Sequence, residues 1–174
     1  MSYTEIYHLW PGTNQIESEM GLQNSHGSAP HVWGKMCIKY LDRPNENDWL
    51  FKSAEIWPLV KDPRVSKTDR VVLALTFDGA YIAKKDYKTA AQDIRGFFER
   101  YPIKKEYVNH WPTIIKHLES DPDCPAIGFY WTSCGDDFWE LPTNDEGEEE
   151  GDFNWSNAFD VYEEYAKEKE GQHV

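Results

Sequence analysis

Two stretches rich in β-branched and aromatic residues constrain this chain most: VVLALTFDGAYIA at 71–83 and AIGFYWTSCGDDFWEL at 126–141, each with a glycine at or near a central turn. Asp78-Gly79 suits a two-residue type I′ turn, because glycine takes positive φ without steric cost. The first stretch therefore predicts a β-hairpin, with Leu75 opposite Ile82, Phe77 opposite Ala80, and Thr76 and Tyr81 on the other face. The second predicts a hairpin about Cys134-Gly135-Asp136. Its period of two puts Phe129 and Trp131 inside and Tyr130 outside, while the face taken by Trp139 depends on the turn length.

Helical spacing surrounds both stretches. Ala29, Val32, Trp33, Met36, Cys37, Tyr40 and Leu41 form the apolar stripe of an amphipathic helix that ends before Asp42-Arg43-Pro44. A shorter helix is expected from about Asp48 to Trp57, closed by Pro58. Asp86 is a suitable N-cap for a helix carrying Ala90, Ala91, Ile94, Phe97, Phe98 and Tyr101, which Pro102 stops. Val108, Trp111, Ile115 and Leu118 mark another helix. Pro112 is tolerable there only in the first turn, which puts the start near Asn109 or His110. After a turn at Asp121 to Pro125, Trp155, Ala158, Phe159, Tyr162 and Ala166 predict a last helix capped by Asn154 or Ser156.

Two hairpins that each need partners join most simply into one four-stranded antiparallel sheet with about five helices against it, an α+β fold. The 174 residues suffice for one domain, no Gly/Ser or Pro-rich linker divides them, and 40% hydrophobic with 15% aromatic content supports a packed core. The order helix, hairpin, helix occurs twice, but the halves share little residue identity. A duplication is not required.

The net charge of −13 is concentrated in one segment. Residues 117–166 hold 15 Asp or Glu and no Lys or Arg, and the rest of the chain nearly balances. Such a field repels phosphate backbones and anionic lipid surfaces and attracts basic proteins. Direct nucleic-acid binding and membrane association are therefore not expected, and a basic protein partner is. The plainer alternative is that the acidic loop at 143–152, TNDEGEEEGD, only keeps the protein soluble. Tyr130, Trp131, Phe138 and Trp139 lie beside the acidic block, and aromatics next to carboxylates are common anchors for basic partners. The predicted binding residues are Asp136, Asp137, Trp139, Glu140, Glu148, Glu149 and Glu150.

A second candidate site is NSHGSAPHVW at 24–33. With Ser28 as N-cap, the free N–H groups of the helix start could receive an anion, with His26 as proton donor and Ser25 or Ser28 supplying a hydroxyl. The stretch lacks the GxxxxGK[ST] and GxSxG spacings, and an ordinary capped turn selects the same small residues. No metal or other cofactor is expected. His110 and His117 are seven apart, too far for an i, i+4 metal pair, and DEGEEEGD lacks the alternation of a calcium loop. Cys134, beside Asp136 and Asp137, would be held as a thiol by like charge and makes a poor nucleophile.

The three cysteines, Cys37, Cys124 and Cys134, have no CxxC spacing and read as free buried thiols. No apolar run approaches a membrane span, and MSYTEIYHLW has neither the basic nor the apolar region of a signal peptide. These features suit a soluble cytoplasmic protein. The favoured function is a non-enzymatic acidic binding module, such as an inhibitor, an immunity factor or a mimic of nucleic-acid charge. The alternative is a small enzyme or ligand binder with an anion pocket at Ser25 to Ser28. The sequence does not determine an oligomeric state.

Overall fold

The computed structural model describes residues 3–23, 27–47, 50, 53–131 and 137–166. Its sheet has five strands, β1 (Tyr3–Leu9), β2 (Ile16–Gln23), β3 (Ala80–Ala83), β4 (Ala126–Tyr130) and β5 (Phe159–Asp160), in the order β2-β1-β4-β3-β5. All neighbours are antiparallel except β3 and β5, which are parallel. The fold is α+β as expected, but the sheet is mixed and five-stranded rather than antiparallel and four-stranded.

The additional pair is the β1–β2 hairpin, which the sequence reading missed. Its connection begins at Trp10-Pro11-Gly12, with Gly12 at φ +83° and the Thr13 hydroxyl donating to the Trp10 carbonyl. Tyr7 and Leu9 point to one face of the sheet, Ile6 to the other.

The first expected hairpin does not form. Residues Lys67–Ala74 are helix α3, capped by Ser66, whose hydroxyl accepts from the Asp69 N–H. Residues 71–76 are all buried, so the C-terminal half of this helix has no solvent face to interrupt its apolar run. A short run of that kind is as consistent with a buried helix as with a strand. Gly79 has the expected positive φ, +79°, but it joins α3 to β3 rather than strand to strand, and Leu75 does not pair with Ile82.

The other helices fall largely where their stripes put them. They are α1 (Ala29–Tyr40), α2 (Ser53–Ile56), α4 (Tyr87–Arg100) and α5 (Trp111–Glu119). Pro112 lies in the first turn of α5 after the N-cap His110. Of the helix expected at 48–57, only 50 and 53–57 lie among the described residues; α2 runs on into a 3₁₀ turn at Trp57–Lys61 that accommodates Pro58. The last predicted helix is divided into a 3₁₀ turn at Trp155–Asn157, strand β5 and a π-type turn at Tyr162–Ala166. Asn154 caps the 3₁₀ turn, accepting from the Ser156 N–H.

The helices cover one face of the sheet and enclose the main core. Inside it, Asp69 is fully buried and accepts from Lys39 at 3.0 Å, Tyr40 at 2.6 Å and Arg100 at 2.8 Å, tying α1, α3 and α4 together. The opposite face carries a second core of Tyr7, Leu9, Ala126, Tyr130, Trp139 and Phe153. With both faces covered, every residue of β4 is buried, so Tyr130 is inside rather than outside as the alternation predicted. Residues 137–141 form no strand, so the second hairpin is also absent. Cys37 and Cys124 are free and buried, as expected, and Cys134 lies outside the described residues. No described helix is long and apolar enough to cross a membrane.

Candidate functional site

The acidic segment forms an arm, residues 137–158, clamped to the second face of the sheet. Its first fastening is Asp137, whose carboxylate accepts from the Tyr7 hydroxyl at 2.5 Å and from the Trp139 N–H at 2.9 Å. Burial pushes the Asp137 carboxyl up, and burial together with the Asp137 hydrogen bond pushes the Tyr7 phenol up. Trp139 then lies over Gly128, where a Cβ would come within 2.8 Å of the indole, and donates through Nε1 to the Phe129 carbonyl at 3.0 Å. Only a glycine on β4 lets the ring lie this close to the backbone. Phe153 stacks on Trp139 with centroids 5.6 Å apart and planes at 17°, so both ends of the acidic loop meet at one aromatic clamp.

The second fastening is to the β1–β2 connection. The Asn14 side chain donates to Asp152 at 2.9 Å and accepts from the Phe153 N–H at 3.0 Å, and Trp155 Nε1 donates to the Thr13 carbonyl at 2.7 Å. Between the clamps the loop is a tight turn. Asn144 Oδ1 accepts from the N–H groups of Glu146 and Glu148, both at 3.0 Å. The Glu150 N–H donates to the Pro142 carbonyl, Thr143 bridges Glu149, and Gly147 has φ +80°.

The fixed loop projects uncompensated charge. Glu140, Asp145, Glu146, Glu148, Glu149, Glu150 and Asp152 are exposed, and none forms an ion pair among the described residues. The flanks of the block differ: Glu119 pairs with Arg95, Asp123 with Lys84, Glu163 with Lys85 and Glu164 with Lys61. Basic residues elsewhere in the chain thus relieve the flanks and leave the arm.

The predicted binding residues separate accordingly. Glu140, Glu148, Glu149 and Glu150 lie on the exposed arm; Asp137 is half-buried and engaged internally; Asp136 lies outside the described residues. Trp139 is 1% exposed, so its ring anchors the arm and is not available as a surface contact. Sequence reasoning missed Asn14, Asn144, Tyr7 and Phe153. Asn144 three residues before Gly147 is a local turn signal, whereas Tyr7 and Asn14 act through contacts more than 120 residues away in the chain, and Phe153 through its stack on Trp139 and a bond to Asn14.

At the other predicted site, Ser25 and His26 lie outside the described residues. Ser28 is fully buried, and its hydroxyl accepts from the His110 N–H at 3.3 Å. A Cβ on Gly27 would meet the Val108 carbonyl at 2.5 Å, so the segment 107–110 covers this end of α1.

One group of three metal-ligating side chains, His8, Glu19 and His117, occurs among the described residues. His8 Nε2 and His117 Nε2 lie 3.0 Å apart, with ring centroids at 5.2 Å and planes at 14°. The centroid spacing exceeds the nitrogen spacing by about two ring radii, so the rings meet end to end and share one hydrogen bond. Glu19 is 3.9 Å from the other nitrogen of His8. Two imidazoles and a carboxylate are the donor set of a zinc-class ion, but ligation would require the two Nε2 lone pairs to turn away from each other and converge on a shared ion. Burial, and secondarily the neighbouring His8, holds the His117 pKa below its usual value.

In comparisons with known proteins, no family model, no curated protein and no solved structure matches this chain.

Proposed function

We propose that this protein is a non-enzymatic binding module that presents its acidic arm to a basic site on a partner protein, in the manner of an acidic inhibitor, an immunity factor or a mimic of nucleic-acid charge. The observation that carries this reading is the fastening of the arm. A loop that served solubility alone would need no aromatic clamp at its base and no side-chain scaffold in its turn. Preordering removes part of the entropy cost of association, and an unrelieved negative field steers a basic partner and speeds its encounter by about 10- to 10³-fold at low salt. Nucleic acid and anionic membranes are disfavoured by the same field. The free buried thiols Cys37 and Cys124 suit the reducing cytoplasm. Ser28, which belongs to the small-enzyme alternative, is buried and accepts from the His110 N–H.

The test uses the wild-type protein and a variant carrying Glu148→Gln, Glu149→Gln and Glu150→Gln as baits in lysate of the native host. Expected is a basic protein retained by the wild type, released by salt, and retained several-fold less by the variant. Equal retention of the same protein by both baits, with no effect of salt, would overturn the proposal.

A further inference from the structure

A cavity of about 370 Å³ lies where three segments converge: α1 contributes Trp33, the 3₁₀ turn after α2 contributes Trp57, and the α3–β3 connection contributes Thr76, Phe77 and Asp78. Its aromatic walls stand nearly at right angles. Trp33 meets Trp57 at 83° with centroids 5.6 Å apart, and Trp57 meets Phe77 at 80° and 5.0 Å. Rings in edge-to-face contact at these spacings form adjoining walls of the cavity rather than a flat stack. The Trp33 indole is held in place by its Nε1 donating to the Thr76 hydroxyl at 2.8 Å, which in turn donates to the Leu73 carbonyl at 2.6 Å.

Two further features bear on what this space accepts. Trp57 remains 36% exposed and Trp33 and Phe77 half-buried, in a chain that buries Trp111, Trp131 and Trp139. Asp78 stands exposed at the mouth with no hydrogen bond or ion pair among the described residues. Desolvation, and secondarily Asp137, raises its carboxyl pKa, the mark of a carboxylate poorly compensated in the free protein.

We propose that Trp33, Trp57 and Phe77, with the Asp78 carboxylate at the rim, form a cage for the headgroup of a small quaternary ammonium compound. An anion would be repelled by Asp78. A neutral apolar ligand would leave that carboxylate without a partner. A divalent metal ion requires several oxygen ligands, and one carboxylate does not supply them. A primary ammonium would give up strong hydration against apolar walls. A tetraalkylammonium group carries its charge on methyl surfaces, is weakly hydrated, and gains from ring faces and one nearby carboxylate together. The cavity is of small-molecule size, which favours a free ligand over a protein segment. This inference does not depend on the function of the acidic arm.

The test is NMR titration of the indole N–H signals, with those of Trp33 and Trp57 assigned through Trp→Phe variants. Tetramethylammonium and choline are expected to shift both signals saturably. The neutral isostere of choline, 3,3-dimethylbutan-1-ol, should bind at least tenfold more weakly. Asp78→Asn, a conservative change at an exposed position, should weaken choline binding about fivefold or more, and Trp57→Ala tenfold or more. The proposal is overturned if the neutral isostere binds as tightly as choline, if Asp78→Asn leaves affinity unchanged, or if only a peptide bearing trimethylated lysine binds. Absence of any saturable shift in folded wild-type protein would also overturn it.

Discussion

Gly128→Ala tests whether the acidic arm is held as the geometry implies. The added Cβ would lie 2.7 Å from Leu9 Cδ1 and 2.8 Å from two Trp139 ring atoms, against an ordinary contact of 3.4 Å or more, so something must move by about 0.6 Å. Leu9 and Trp139 are both buried, and the clash falls on both side chains. A shift of the indole lengthens the 3.0 Å bond to Phe129 and disturbs the stack on Phe153. Overpacking of this kind costs about 1–3 kcal/mol, and loss of one buried hydrogen bond falls within that range. For a chain of this size each kcal/mol lowers the melting midpoint by about 2–4 °C. Because the strain reaches the clamp, the loop beyond it should loosen as well. A glutamate-specific protease should then cut at Glu148 to Glu150 several-fold faster under conditions where the rest of the chain stays folded. An unchanged midpoint together with an unchanged cleavage rate would refute the clamp as the source of the arm's order.

Two other perturbations address the body of the protein. Asp69→Ala should cost about 3–5 kcal/mol in a denaturant titration, because Lys39, Tyr40 and Arg100 would be left around a cavity with no anion; a cost below about 1 kcal/mol would show that the three donors find water instead. The His117 pKa is lowered in the folded state by burial and then by His8, so the unfolded chain binds the proton more readily. That contribution to stability is complete above about pH 6.5, the unfolded value, and is lost as pH falls from there toward the lowered folded value. His31, lowered mainly by burial, acts in the same direction. His117→Asn should therefore reduce the loss of stability between pH 7.5 and 5.5, measured by denaturant midpoints; an identical loss in the variant would exclude His117 as a contributor.

The legible parts of this sequence were those decided within a few residues. The stripes of α1, α4 and α5 are periodic in the chain itself, Pro112 could only sit in a first turn, and Gly79 was marked by the local need for positive φ. The acidic block is likewise visible without a fold, because charge adds along the chain. What tertiary structure alone decided involves surroundings that no local pattern encodes. Val71 to Ala74 became helix because neighbours cover every side of this stretch, and β-propensity yields where burial is complete. Tyr130 went inside because the arm that carries Trp139 and Phe153 returned over the sheet, giving β4 two buried faces instead of one. His8 met His117 across 109 residues, and Trp33, Trp57 and Phe77 came together from three separate segments. Alternation and helical spacing report one solvent boundary along one element, and they lose their meaning wherever a second layer removes that boundary.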